Sequence, residues 1–165
     1  MDIDFSNYGI KTPYLSLDGL VTQARVVSVY DGDTLTLVIP FHNSFYKFNC
    51  RMMGIDTCEI KSKLQENKTT AIRARNRVLQ LIGVPIIDID MTLTRTKIQS
   101  LLAEKIYTCW IKCYHTEKFG RTLVDVRMIE DISSPTIAQI LINEKLAYEY
   151  SGDTKLTEEQ QNELL

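Results

Sequence analysis

Arg25-Val26-Val27-Ser28-Val29-Tyr30-Asp31-Gly32-Asp33-Thr34-Leu35-Thr36-Leu37-Val38-Ile39 is the stretch that decides the fold class. Both arms are β-branched and alternating, and Asp31-Gly32-Asp33 between them is a tight-turn signal, so the stretch reads as a hairpin. A third strand is expected from about Tyr46 to Met53, after the loop Pro40-Phe41-His42-Asn43-Ser44. The apolar period then lengthens. Leu64, Ala71, Ile72, Arg75, Val78, Leu79 and Ile82 recur at helical spacing, and Gly83 with Pro85 ends that helix. Ile86 to Met91 returns to strand character, and Thr94 to Glu104 reads as a loop or a short helical turn. Further strands are expected at about Lys105–Tyr114 and Thr122–Ile129, with Glu117-Lys118-Phe119-Gly120 as their turn. Ser134 is expected to cap a second helix with Pro135 at its first position, and Leu156 to Leu165 to form a short third helix. This layout predicts an α+β fold with a mainly β core: a five-stranded OB-fold barrel, one inserted helix and C-terminal helices. Residues 1–20 show no clear period and read as an extension; residues 21–165 are the domain.

The chain of 165 residues suits one domain with one core. Its 44% apolar and 24% charged residues are ordinary for a globular protein. No apolar run approaches the roughly 20 residues of a membrane span. Met1-Asp2-Ile3-Asp4-Phe5 lacks the basic and apolar regions of a signal peptide, so an intracellular protein without membrane contact is expected. In that setting Cys50, Cys58, Cys109 and Cys113 are expected as free thiols. Cys109, Cys113 and His115 suggest zinc, but on a strand residues four apart lie roughly 13 Å apart, too far for one tetrahedral ion. The net charge of −2 does not advertise a nucleic-acid binder. However, Lys61, Lys63, Lys68, Arg73, Arg75 and Arg77 follow one another with only Glu66 opposing, which is either a solvated helix face or a phosphate-attracting one.

Three short runs carry chemistry: Asp31-Gly32-Asp33-Thr34, Arg51-Met52-Met53-Gly54-Ile55-Asp56-Thr57-Cys58-Glu59, and Lys118-Phe119-Gly120-Arg121. Asp33, Asp56 and the Thr57 carbonyl offer the hard oxygens that calcium or magnesium accepts, with Asp31 close by. Glu59 is a spare carboxylate able to accept a proton from water. Arg51 and Arg121 are guanidiniums suited to two phosphate oxygens and to the charge that grows on them during attack. Taken singly, an Asp-Gly-Asp shapes a turn and an arginine forms a surface ion pair. Their order along one chain is what points to phosphodiester chemistry.

On these runs, and on Tyr148-Glu149-Tyr150, the chain resembles the staphylococcal nuclease (thermonuclease) family over about Ala24 to Tyr150. The resemblance implies a calcium-dependent endonuclease on an OB-fold, acting on DNA or RNA with little sequence specificity and preferring single strands. It implies Asp33, Asp56 and Thr57 as metal ligands, with calcium expected ahead of magnesium. Glu59 is then the general base, and Arg51 and Arg121 the phosphate-gripping pair. Tyr148, Tyr150 and Lys118 border the nucleotide. Cys58 stands where the family usually has proline and Phe119 where tyrosine is common; extra residues lie between Ile86 and Tyr114. A binding module on the same fold, for nucleic acid or a protein partner, is the alternative.

Overall fold

This computed structural model describes residues 2–165. Five strands close into a barrel in the order β1-β2-β3-β6-β5: β1 (Val21–Asp31), β2 (Thr34–Phe41), β3 (Ser44–Met52), β5 (Thr108–Thr116) and β6 (Thr122–Arg127). Alternation builds the interior. Leu35, Leu37 and Ile39 of β2 are buried while Thr34, Thr36, Val38 and Pro40 between them are only half-buried. Val26, Cys50, Met52, Ile111, Val124 and Val126 complete the core from the other strands. Neighbours are antiparallel except β3 and β6, which run parallel over Cys50–Met52 and Thr122–Val124. The barrel and its inserted helix are as the sequence predicts.

Helix α1 (Gln65–Leu81) packs on β1 through a stripe that includes Ala74, Val78 and Leu79. The β1–β2 turn presses directly on this helix. A Cβ on Gly32 would lie 2.7 Å from the Ala74 Cβ, so glycine is required there by crowding, and the backbone is not left-handed. Helix α2 (Arg95–Glu104) also packs on β1, burying Ile98 and Leu102 one turn apart. The stretch read as a loop or short turn is thus a ten-residue helix, started by the Thr94 hydroxyl, which accepts from the Lys97 N–H.

Two expectations fail locally. Ile86 to Met91 is not a strand, because α1 side chains take its carbonyls. Asn76 Nδ2 donates to Ile89 O at 2.8 Å and to Met91 O at 2.7 Å, and Gln80 Nε2 donates to Ile86 O at 2.8 Å. Helix α3 (Ile137–Asn143) is capped by Thr136, not by Ser134, and Pro135 lies outside it. Thr136 and Gln139 form a reciprocal capping box that satisfies two N–H groups at once. The Ser134 hydroxyl instead donates to Asp131 O at 2.6 Å.

Two-residue strands β4 (Ile55–Asp56) and β7 (Tyr148–Glu149) pair outside the barrel, too short to leave a periodic signal. The final helix α4 (Glu158–Leu164) reaches back to the segment before α1. Glu158 Oε1 accepts from Ser62 Oγ at 2.8 Å and from the Lys63 N–H at 3.2 Å, and Glu158 O accepts from Asn67 Nδ2 at 2.8 Å. Residues 2–16 form no regular element and are exposed; Leu17 is buried, and Gly19 N–H donates to Cys113 O at 3.0 Å. Cys109 and Cys113 are buried inside the barrel while His115 is exposed, so they do not meet around a metal. All four cysteines are free thiols. No helix among the described residues is long and apolar enough to cross a membrane.

Candidate active site

The site lies where the β1–β2 turn, the end of β3 and the β4–β7 pair meet. Arg51 leaves β3 opposite Thr34, and its guanidinium bridges two buried carboxylates. NH1 donates to Asp33 Oδ2, while NH2 donates to Asp56 Oδ1 at 2.8 Å and to Ile55 O at 2.9 Å. Asp33 also accepts from the Thr34 hydroxyl at 2.9 Å. That hydroxyl in turn accepts from Arg121 NH1 at 3.4 Å. The two arginines expected to grip phosphate are therefore joined through one carboxylate and one hydroxyl.

Asp56 has three cationic or protic partners. Besides Arg51, Lys155 Nζ lies 2.8 Å from Oδ1, and the Tyr148 hydroxyl donates to Oδ2. Burial alone would raise the Asp56 pKa, but these hydrogen bonds outweigh it and hold the carboxyl below its ordinary value. Asp33 goes the other way: burial pushes it up, Arg51 opposes, and the Asp56 charge adds to the rise. Tyr148 is raised by burial and by its bond to Asp56.

Asp31 sits behind this pair and accepts the Ile60 N–H at 3.3 Å. Burial, with help from the Asp33 and Glu59 charges, pushes its pKa from 3.8 to about 6. The folded state thus binds this proton more tightly than the unfolded chain, and stability falls as pH rises from about 4 through 6. Asp31→Asn keeps an acceptor for Ile60 and removes the charge. It is expected to raise unfolding free energy by about 1–2 kcal/mol at pH 7.5, with the gain gone below pH 4. Urea midpoints at the two pH values test this; a loss of stability at pH 7.5 would contradict it.

A groove of about 1030 Å³ opens beside the arginines, lined by Arg51, Lys118, Phe119, Arg121, Tyr150 and Lys155 among others. Arg51 lies 5.6 Å from the Tyr150 ring centre. Glu117 aims Arg121 by accepting from its Nε at 3.2 Å and NH2 at 3.3 Å. Burial would raise the Glu117 pKa, but the Arg121 bonds bring it below the ordinary value. Tyr148 lies behind the groove wall, serving Asp56 and bordering a second hollow of about 400 Å³ near α4.

Glu59 is exposed on the loop after β4, and its charge acts on Asp31. It is not a groove-lining residue. In the basic run that follows it, the three arginines are engaged within the fold, while Lys61 and Lys63 are exposed. Arg73 pairs with Asp90 at 3.0 Å and Arg77 with Glu144 at 2.8 Å, while Arg75 is buried and donates to Leu93 O at 3.1 Å.

Asp33 and Asp56 each accept from a different nitrogen of the Arg51 guanidinium, and the Thr57 hydroxyl is buried without a hydrogen-bond partner. Among the described residues no three His, Cys, Asp or Glu side chains converge on a common ion position. The two carboxylates are oxygen donors of the kind a hard cation accepts, and both are paired with cations of the chain itself. They lack the nitrogen and sulfur ligands of zinc. Sequence reasoning missed Lys155, Glu117 and the Thr34 bridge. Lys155 and the Thr34–Arg121 bond depend on long-range approaches that no local pattern reports, whereas Glu117 lies only four residues from Arg121.

The chain matches no family model and no curated protein.

Proposed function

We propose that the groove takes a single strand of DNA or RNA and that the protein is a metal-dependent phosphodiesterase, an endonuclease of the staphylococcal nuclease type. One observation carries this reading: Arg51 and Arg121, linked through Asp33 and Thr34, both line one groove, and Arg51 bonds the buried Asp33 and Asp56. Asp33, Asp56 and the Thr57 carbonyl would hold the cation, calcium ahead of magnesium, with Asp31 adding charge. Bound there, such an ion neutralises phosphate oxygens and polarises water. Arg51 and Arg121 hold the phosphate and oppose the negative charge that grows as the attacking oxygen adds. Their aim is set in advance by Asp33 and Glu117, so little reorganisation accompanies the reaction. Glu59 accepts the proton of the attacking water. Lys118 and Tyr150 border the bound nucleotide, and Tyr148 fixes Asp56 from behind.

A binding module is the second reading, favoured by the neutralisation of Asp56 by Arg51 and Lys155 within the chain itself. End-labelled single-stranded DNA and RNA, incubated with the purified protein and millimolar calcium, separate the two. Cleavage that a calcium chelator abolishes is expected, with magnesium supporting less. Strands that bind but stay intact in both ions favour the module.

A further inference from the structure

Asp33 and Asp56 are matched by two cations of the chain itself, Arg51 and Lys155. Arg51 and Lys155 both reach Asp56 Oδ1 at 2.8 Å, and the Tyr148 hydroxyl holds Oδ2. Asp33 is engaged at both oxygens, by Arg51 and by the Thr34 hydroxyl. A divalent ion therefore meets carboxylates that are already neutralised. Its favourable route in is an exchange of one positive charge for another, because adding a third beside the two would cost Coulomb repulsion.

The two resident cations are not equally held. The Arg51 guanidinium has three acceptors, on Asp33, Asp56 and Ile55, and is 7% exposed, so its departure would strand Asp33 in the interior. Lys155 is 44% exposed, and among the described residues Asp56 is its only ion-pair partner. An ammonium is a strongly hydrated charge on a flexible four-carbon stem, so it turns into water at little cost.

The chain around Lys155 leaves it free to do so. Tyr150 N–H donates to Gly54 O at 2.9 Å on one side, and Thr157 starts α4 with a capping box on the other. Between these anchors Ser151–Leu156 is in no helix or strand. Its first half is held by Asp153, whose Oδ2 accepts from Ser151 Oγ at 2.8 Å and whose carbonyl accepts from the Tyr150 hydroxyl at 2.9 Å. Lys155 lies in the second half. It lines the same groove as Lys118 and Arg121, where a phosphate would be taken.

We infer that Lys155 is a displaceable counter-cation: it holds the place of a divalent ion on Asp56 in the free protein and passes to a phosphate oxygen when ion and strand bind. The inference rests on the reading of Asp33 and Asp56 as a cation site, and it adds that the chain competes with its own metal. If Lys155 occupies Asp56 about nine-tenths of the time, apparent calcium affinity falls about tenfold.

The test titrates the full chain, stripped of metal, with calcium chloride in a calorimeter, as wild type, Lys155→Met and Lys155→Arg. Lys155→Met is expected to bind calcium about tenfold or more tightly than wild type, and Lys155→Arg to stay within about threefold of wild type because the charge remains. With saturating thymidine 3′,5′-bisphosphate the wild-type ammonium has a phosphate to take, and the gap to Lys155→Met is expected to shrink to about threefold or less. A second readout needs no variant. Lysyl endopeptidase must draw Lys155 into its own pocket, so Asp56 competes with it for the ammonium. Calcium is expected to speed cleavage after Lys155 about threefold or more, while cleavage after the exposed Lys11 keeps its rate. Equal calcium affinity in wild type and Lys155→Met, with cleavage after Lys155 indifferent to calcium, overturns the exchange and leaves the cation site standing. Weaker calcium binding by Lys155→Met overturns it too, since Lys155 would then help to build the site. A gap that bisphosphate leaves undiminished overturns the transfer to phosphate. Calcium bound by Lys155→Met alone supports the exchange. Calcium bound by neither removes the cation-site reading, and the inference with it.

Discussion

Arg51→Met is expected to lower the unfolding free energy by about 3–5 kcal/mol at pH 7, the usual cost of leaving buried carboxylates without their cation. The side chains concerned are 7% exposed for Arg51, 5% for Asp33 and 1% for Asp56, so water cannot take the guanidinium's place cheaply. Lys155 and Tyr148 still serve Asp56, which leaves Asp33 as the more damaged partner. In a chain of this size the loss corresponds to a melting temperature lower by about 10 °C. The pH dependence fixes the cause. Without Arg51 the Asp33 carboxyl, already raised by burial, rises further above its unfolded value, so the penalty is full at neutral pH and shrinks as pH falls toward 4. Arg51→Lys should recover only part, since one ammonium cannot fork between two carboxylates. A deficit below about 1 kcal/mol, or one that does not change between pH 7 and pH 4, would mean that the bridge is not what holds these carboxylates in place.

Glu59→Gln is expected to reduce turnover by about 10²–10⁴-fold, the range for losing a positioned proton acceptor. Glu59 is exposed, so stability should move by less than about 0.5 kcal/mol. Bisphosphate affinity should also hold, because Arg51, Arg121 and Lys118 are untouched. Single-turnover cleavage, measured beside calorimetric titration with the bisphosphate, separates these quantities. Equal losses in cleavage and binding would assign Glu59 to shaping the site rather than to proton transfer.

The barrel was legible because the information was local. The Arg25–Ile39 hairpin alternates with period two, and Leu35, Leu37 and Ile39 bury as that alternation requires. α1 was legible for the same reason at helical period. Ile86 to Met91 misled because its apolar alternation is real, while its carbonyls are claimed by Asn76 and Gln80 from another element. α2 stayed ambiguous because only Ile98 and Leu102 mark its buried side. At the site, Asp33, Arg51, Asp56 and Arg121 could be picked out as a set, and they lie together. Lys155 could not, since a lone lysine in Ser151-Gly152-Asp153-Thr154-Lys155 says nothing of a carboxylate reached through the β4–β7 pairing. Nor could the pairing of Arg73 and Arg77, because Asp90 and Glu144 lie outside the basic run in sequence.

Glu158 ties the closing helix to Ser62, Lys63 and Asn67, only a few residues beyond Glu59. The strap from Ser151 to Leu156 meanwhile carries Lys155 to Asp56. The final fifteen residues thus brace Asp56 and the segment after Glu59 rather than the barrel, whose strands all precede them. A small cooperative unit of this kind opens at lower free energy than the whole molecule. Peeling it away, by a protease or a bulky fusion, would strip Asp56 of Lys155 and free the segment after Glu59 while the five strands stayed wound.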